Sequence, residues 1–168
     1  SIRILVQLLE QRGVPYMLLS PTGKAAKRLQ EATLRNASTI HRQLFSLERQ
    51  KEQLRGGARR RSRAAPLEEI MLPANAVVVD EASMVDVPLM HALARAVPRT
   101  AALLVVGDAD QLPSVGPGQV LADLIASQAL PVARLTTVFR QAAASRIVAA
   151  AHQVNAGLVP QTTPEGES

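Results

Sequence analysis

Ala76-Val77-Val78-Val79-Asp80-Glu81-Ala82-Ser83-Met84 is the stretch on which the fold turns. Four apolar residues, three of them β-branched, predict a short strand buried on both faces, of the kind found in parallel sheets. The strand ends in two adjacent carboxylates. In open α/β sheets ligands bind beyond the carboxyl ends of the strands, which is where Asp80 and Glu81 fall. Taken alone, an Asp-Glu pair reads rather as a strand followed by an acidic turn. A second stretch alters the balance. Ala102 to Val106 reads as another buried apolar strand, ending in Gly107-Asp108-Ala109-Asp110-Gln111-Leu112-Pro113-Ser114-Val115-Gly116-Pro117-Gly118. Between them Asp86 is placed to cap a helix with Leu89, Met90, Leu93 and Val97 on its apolar face, stopped by Pro98. Strand, helix and strand, with polar groups off both carboxyl ends, predict a parallel sheet and a site along one edge.

Two carboxylates at such an edge suit nucleotide hydrolysis, where one holds Mg²⁺, usually through water, and the other polarises the attacking water. Val78-Val79-Asp80-Glu81-Ala82-Ser83-Met84, followed by Gly107-Asp108-Ala109-Asp110-Gln111-Leu112-Pro113-Ser114-Val115, resembles motifs II and III of superfamily 1 DNA helicases. The RecD type is nearest: the exodeoxyribonuclease V alpha subunit and its stand-alone relatives. The resemblance rests on the acidic box, the Gly-Asp-x-x-Gln-Leu-Pro run and their order. It implies an α/β fold, a three-layer P-loop NTPase (RecA-like) domain with a mostly parallel sheet. It also implies ATP and Mg²⁺ as cofactors, with Asp80 holding the metal through water and Glu81 acting as base. Asp108 would lie with the nucleotide, and the Gln111 amide would contact the γ-phosphate or the attacking water.

Composition bounds the alternatives. The chain has 168 residues, enough for one domain with a sizeable core. Hydrophobic residues make up 47% but aromatic ones only 2%, so the core must be built from Ala, Val, Leu and Ile. The absence of cysteine excludes a disulfide framework and a thiolate metal site. Three scattered histidines argue against zinc. No stretch reads as a signal peptide or a membrane span. A formal charge of +5 and a pI near 10.7 favour an anionic partner.

Along the chain, Ile2, Leu5, Val6 and Leu9 recur at helical spacing, and Gly13 follows as a C′ residue. Val14 to Leu19 reads as a strand that gives way to Ser20-Pro21-Thr22-Gly23-Lys24. The Gly-Lys pair is no P-loop, because Leu18 and Ala25 stand where that motif needs a glycine and a hydroxyl. Ser20 to Leu29 instead resembles motif Ia of the same helicases, which touches single-stranded DNA. That resemblance implies DNA contacts from Pro21, Thr22, Gly23 and Lys24. Read without it, the segment is a strand-to-helix turn with a basic face. Ser38-Thr39-Ile40-His41-Arg42 starts the next helix, with a hydroxyl placed to cap it. In RecD-like proteins a Thr-Ile-His segment also follows the DNA strand, which implies contacts from Thr39 and His41.

From about 47 to 73 the pattern dissolves, through Gly56-Gly57 and the basic run Arg59, Arg60, Arg61 and Arg63. This reads as a surface insertion rather than a dedicated DNA-binding patch. Past motif III, Gly116-Pro117-Gly118 makes a tight turn into a helix around Val120 to Ala126. Val132 to Leu135 reads as a last short strand before Thr136-Thr137-Val138-Phe139-Arg140-Gln141. This segment resembles motif IV, whose arginine reaches the γ-phosphate, and so gives Arg140 that role. Ser145 caps a final helix with Ile147, Val148, Ala151 and Val154 inward and Gly157 beyond it. The helicase-like domain then spans 1–157 and a Pro-, Thr- and Glu-containing tail or linker 158–168.

The matched motifs run from about residue 18 to 160. The family's phosphate-cradling loop and its strand precede the opening helix there, and its later motifs follow. The chain is therefore expected to be part of a larger helicase, with a sheet incomplete at its N-terminal strand and, alone, weak ATP binding and no turnover. The resemblance further implies single-stranded DNA as partner, other subunits of a helicase–nuclease complex, and a bacterial, cytoplasmic, non-membrane setting. Three other readings stay open: a non-catalytic nucleic-acid binding module on the same fold, a superfamily 1 RNA helicase, and, more distantly, a metal-dependent nuclease.

Overall fold

The structure is a computed structural model, and it describes residues 2–58, 70–135, 153–154 and 157–159. The chain divides into two compact units, Ser1–Leu130 and Pro131–Ser168.

The first unit is built on a four-stranded sheet in the order β2-β1-β3-β4, with every neighbouring pair parallel. Its strands are β1 (Tyr16–Ser20), β2 (Ala37–Thr39), β3 (Ala76–Val79) and β4 (Ala102–Val105). Among the described residues five helices accompany them: α1 (Ile2–Gln11), α2 (Gly23–Thr33), α3 (Ile40–Ala58), α4 (Val87–Ala96) and α5 (Val120–Ala126). A single 3₁₀ turn, Ala82–Met84, follows β3. Successive side chains of a strand point to opposite faces, and β3 divides the core accordingly. Val77 and Val79 join Leu19, Ile40, Leu47, Leu89 and Leu93 on one side. Val78 joins Val6, Leu18 and Leu29 on the other. Helices α3 and α4 cover the first face and α1 and α2 the second, giving the three-layer α/β architecture of a P-loop NTPase.

Local chemistry explains the boundaries. Helix α1 ends where Gly13 takes φ +62°, its N–H donating to the Glu10 carbonyl. Thr22 and Asp86 cap α2 and α4 by accepting from the Ala25 and Leu89 N–H groups. At α3 the capping hydroxyl belongs to Thr39, which accepts from Arg42 N–H.

Several sequence expectations need correction. The strand expected over Val14 to Leu19 runs from Tyr16 to Ser20. Leu47, taken as the edge of an insertion, is buried inside α3, which continues through Gly56-Gly57 to Ala58. Two glycines at a helix end weaken it without stopping it. The strand Ala102–Val105 is exposed rather than buried, because it is outermost and no described strand pairs with its far edge. Val132 to Leu135 forms no strand and is exposed. Pro131 removes a ladder donor there, and Arg134 interrupts the apolar run. Val154, expected to face inward, is exposed, although Gly157 does take the left-handed φ of +74° expected of a helix end.

Candidate functional site at the carboxyl edge of the sheet

Because all four strands run the same way, their carboxyl ends share one edge, and the strand order sorts what each delivers there. Thr39 and His41 follow β2, and Thr22 and Lys24 follow β1. Asp80 and Glu81 follow β3, and Asp108 and Gln111 lie beyond β4. The DNA-contact candidates thus occupy one half of the edge and the nucleotide candidates the other.

The seam between the halves is tight. Asp80 N–H donates to the Leu19 carbonyl at 2.9 Å. The Ser20 hydroxyl, fully buried, donates to the Asp80 carbonyl at 3.3 Å. A hydroxyl at the end of an otherwise apolar strand needs a partner when buried, and this carbonyl provides it.

Past Asp80 the chain leaves the strand abruptly. Glu81 adopts the left-handed region, φ 56° and ψ 39°, and the 3₁₀ turn begins directly after it. Ala82 N–H then donates to the Val106 carbonyl at 3.0 Å, which fastens the acidic turn to the end of β4. The loop 107–119 lies along this turn. A Cβ on Gly107 would come within 3.0–3.1 Å of the Ala82 and Ser83 amide nitrogens, so a larger residue would press the two segments apart by a few tenths of an ångström. At Gly116 a Cβ would overlap the Asp86 carboxylate. Val87 N–H donates to the Pro117 carbonyl at 3.0 Å, and the Ser114 hydroxyl bonds to the Gly116 and Gly118 carbonyls.

Within this frame the Ser83 hydroxyl donates to Gln111 Oε1 at 3.5 Å, and Gln111 Nε2 donates to Asp108 Oδ2 at 3.5 Å. Asp108 closes its own turn by accepting from Asp110 N–H at 3.0 Å. Asp80 and Glu81 are half-buried, and Gln111 is exposed.

Chain 1–165 matches the family described as AAA domain. The ATP-dependent RecD2 DNA helicase of Deinococcus radiodurans is 42% identical over 158 residues, covering 94% of this chain and 20% of that protein. The RecBCD enzyme subunit RecD of Mycobacterium tuberculosis is 46% identical over 124 residues, covering 64% of this chain and 20% of that protein. Its counterpart from Mycolicibacterium smegmatis is 38% identical over 145 residues, 73% of this chain and 24% of that protein. The chain belongs to the AAA domain family. Its resemblance to RecD-type helicases holds across these relatives, and it spans about a fifth of their length.

Against the AAA domain background, each expected site residue can be located. Asp80, Glu81, Asp108 and Gln111 stand on adjoining turns of one edge. Thr22 and Thr39 are half-buried, and their hydroxyl oxygens already accept the capping bonds of α2 and α3. Pro21 is half-buried, and Gly23, Lys24 and His41 are exposed. Arg140 lies outside the described residues. The sequence reading passed over Ser20 and Ser83, whose one available signal is polarity inside apolar runs. Among the described residues no three His, Cys, Asp or Glu side chains cluster as a metal cage. Mg²⁺ needs none: it is usually held by one or two carboxylates, substrate phosphates and water, and the Asp80 carboxylate is the right class of donor. No helix among the described residues is long and apolar enough to cross a membrane.

Proposed function

We propose that this chain is part of an ATP-dependent DNA helicase motor that couples ATP hydrolysis to translocation along single-stranded DNA and duplex unwinding. The observation that carries this reading is the fastening of the acidic turn after β3 to the Gln111 loop after β4, through the Ala82–Val106 and Ser83–Gln111 bonds. Phosphoryl transfer asks for little covalent chemistry and much positioning, so groups with different tasks must be held on one rigid edge.

In this mechanism Asp80 holds Mg²⁺ through water, and the ion, when bound, neutralises charge developing on the phosphate oxygens. Glu81 accepts a proton from the attacking water. Gln111 and Arg140 sense the γ-phosphate, and Asp108 supports that end of the nucleotide site. Pro21, Thr22, Gly23, Lys24, Thr39 and His41 line the DNA path. Exposed Lys24, Lys27 and Arg28 give that half positive charge suited to a phosphodiester backbone. The buried Ser20–Asp80 bond is a side-chain link between the two halves, beside the β1–β3 ladder. Work with partner subunits is the setting suggested by relatives named as RecBCD enzyme subunits, and recombination or repair is the one the helicase resemblance implies.

The test uses the full-length protein. Glu81→Gln keeps the shape of the side chain and removes the base. It should retain ATP and single-stranded DNA binding while turnover falls by about 10²-fold or more. Near-normal DNA-stimulated ATPase from that variant would remove Glu81 from its role. Strand displacement on RNA but not DNA duplexes would make the protein an RNA helicase.

A further inference from the structure

We propose that Ser83 and Asp108 are positioning residues that fix which end of the Gln111 amide faces the nucleotide. An amide side chain has an acceptor end and a donor end, and its two neighbours here differ in kind. A carboxylate can only accept, so the Gln111 NH₂ group turns toward Asp108, as in the Nε2–Oδ2 contact. The Ser83 hydroxyl then donates to the amide oxygen from the opposite side. Both partners are themselves held. Ser83 is nearly buried in the 3₁₀ turn, and Asp108 is tied to Asp110 N–H. Gly107 lets the two turns lie this close, since a side chain there would press on the Ala82 and Ser83 amide nitrogens.

The consequence is chemical. With the carbonyl oxygen turned to Ser83 and one N–H turned to Asp108, the second N–H remains to meet an incoming group. A γ-phosphate oxygen is an acceptor and takes this N–H directly, while the carbonyl oxygen, with one of its two lone pairs engaged, is left on the Ser83 side. Held in this orientation, Gln111 offers the γ-phosphate a hydrogen-bond donor. Ser83 contributes to turnover through Gln111 without touching the nucleotide. This inference rests on the site assignment proposed above.

The experiment is a double-mutant cycle in the full-length protein, read as DNA-stimulated ATP turnover. Ser83→Ala should lower kcat about fivefold, the effect of one lost hydrogen bond, and Gln111→Ala should lower it further. Adding Ser83→Ala to Gln111→Ala should cost nothing more. A Ser83→Ala loss that persists undiminished without Gln111 overturns the proposal, as does full turnover from Ser83→Ala alone. A crystal structure of the full-length Ser83→Ala protein supplies a readout independent of turnover. Gln111 should leave its present orientation while Gly107 stays packed on Ala82, and an amide that has not moved overturns the proposal. Retained activity in Glu81→Gln would count against the proposed function and leave this structural readout standing.

Discussion

Glu81 occupies backbone space that costs an L-residue roughly 1–2 kcal/mol. Leu34 and Gln128 share the left-handed conformation, but each closes the end of a helix, where it lets the last carbonyls find partners. Glu81 closes no helix, and its side chain makes no capping bond to the turn that follows. Strain of this kind persists where the surroundings enforce it, and it concentrates at functional sites. The bonds of Asp80 N–H to Leu19 and of Ala82 N–H to Val106 hold both sides of Glu81 and leave its conformation little choice. Asparagine tolerates the left-handed region better than glutamate. Glu81→Asn should therefore raise the urea midpoint, by up to about 1 kcal/mol of stability, while ATP turnover is lost. A variant that loses activity without gaining stability would show that the conformation carries no strain.

At the scale of elements, α1 is tethered at its far end by an ion pair. Arg35, in the turn after α2, grips Glu10 with Nε and Nη2, the latter at 2.9 Å, and the Tyr16 hydroxyl donates to the same carboxylate at 2.7 Å. Arg35 first and Tyr16 second hold the Glu10 pKa down at about 2. A carboxyl whose folded pKa lies below its unfolded value near 4.5 stabilises the fold above that value. The contribution is lost as pH falls from there toward 2. Urea unfolding followed from pH 6 to pH 2 should show this loss, and Arg35→Ala should flatten that part of the profile. An unchanged profile would mean that the pair is loose in solution. Most elements of the sheet were legible in the sequence. The β-branched run Val77–Val79 and the Asp86 cap each identify an element from residue chemistry alone. Strand β2 was not legible: Ala37–Thr39 has only three residues and no apolar run, and it exists because β1 offers a ladder. The exposure of β4 was hidden too, since composition shows that a strand is apolar and not what covers it. At the site, the acids and Gln111 stood out by motif, whereas Ser83 is defined by a partner 28 residues away.

For the molecule as a whole, pairing every strand in parallel means that no two neighbours are joined by a tight turn. Within each half the partners lie 19 and 26 residues apart in the chain, Leu18 with Ala37 and Ala76 with Ala102. Across the seam Tyr16 meets Ala76, about 60 residues on. Loop closure costs about 0.6 kcal/mol for each doubling of length, so the seam is the dearest pairing to nucleate. The two strand–helix–strand halves should therefore organise early in folding and dock on one another late. Val78→Ala, a cut in the seam's core, should then speed unfolding and leave the folding rate nearly unchanged. Leu29→Ala, which loosens α2 within the first half, should slow folding instead. If Val78→Ala slows folding by its full loss of stability, the order is reversed. On the expected order, the bond from Ser20 to Asp80, which ties the end of β1 to the end of β3, is among the last to form in each newly made molecule.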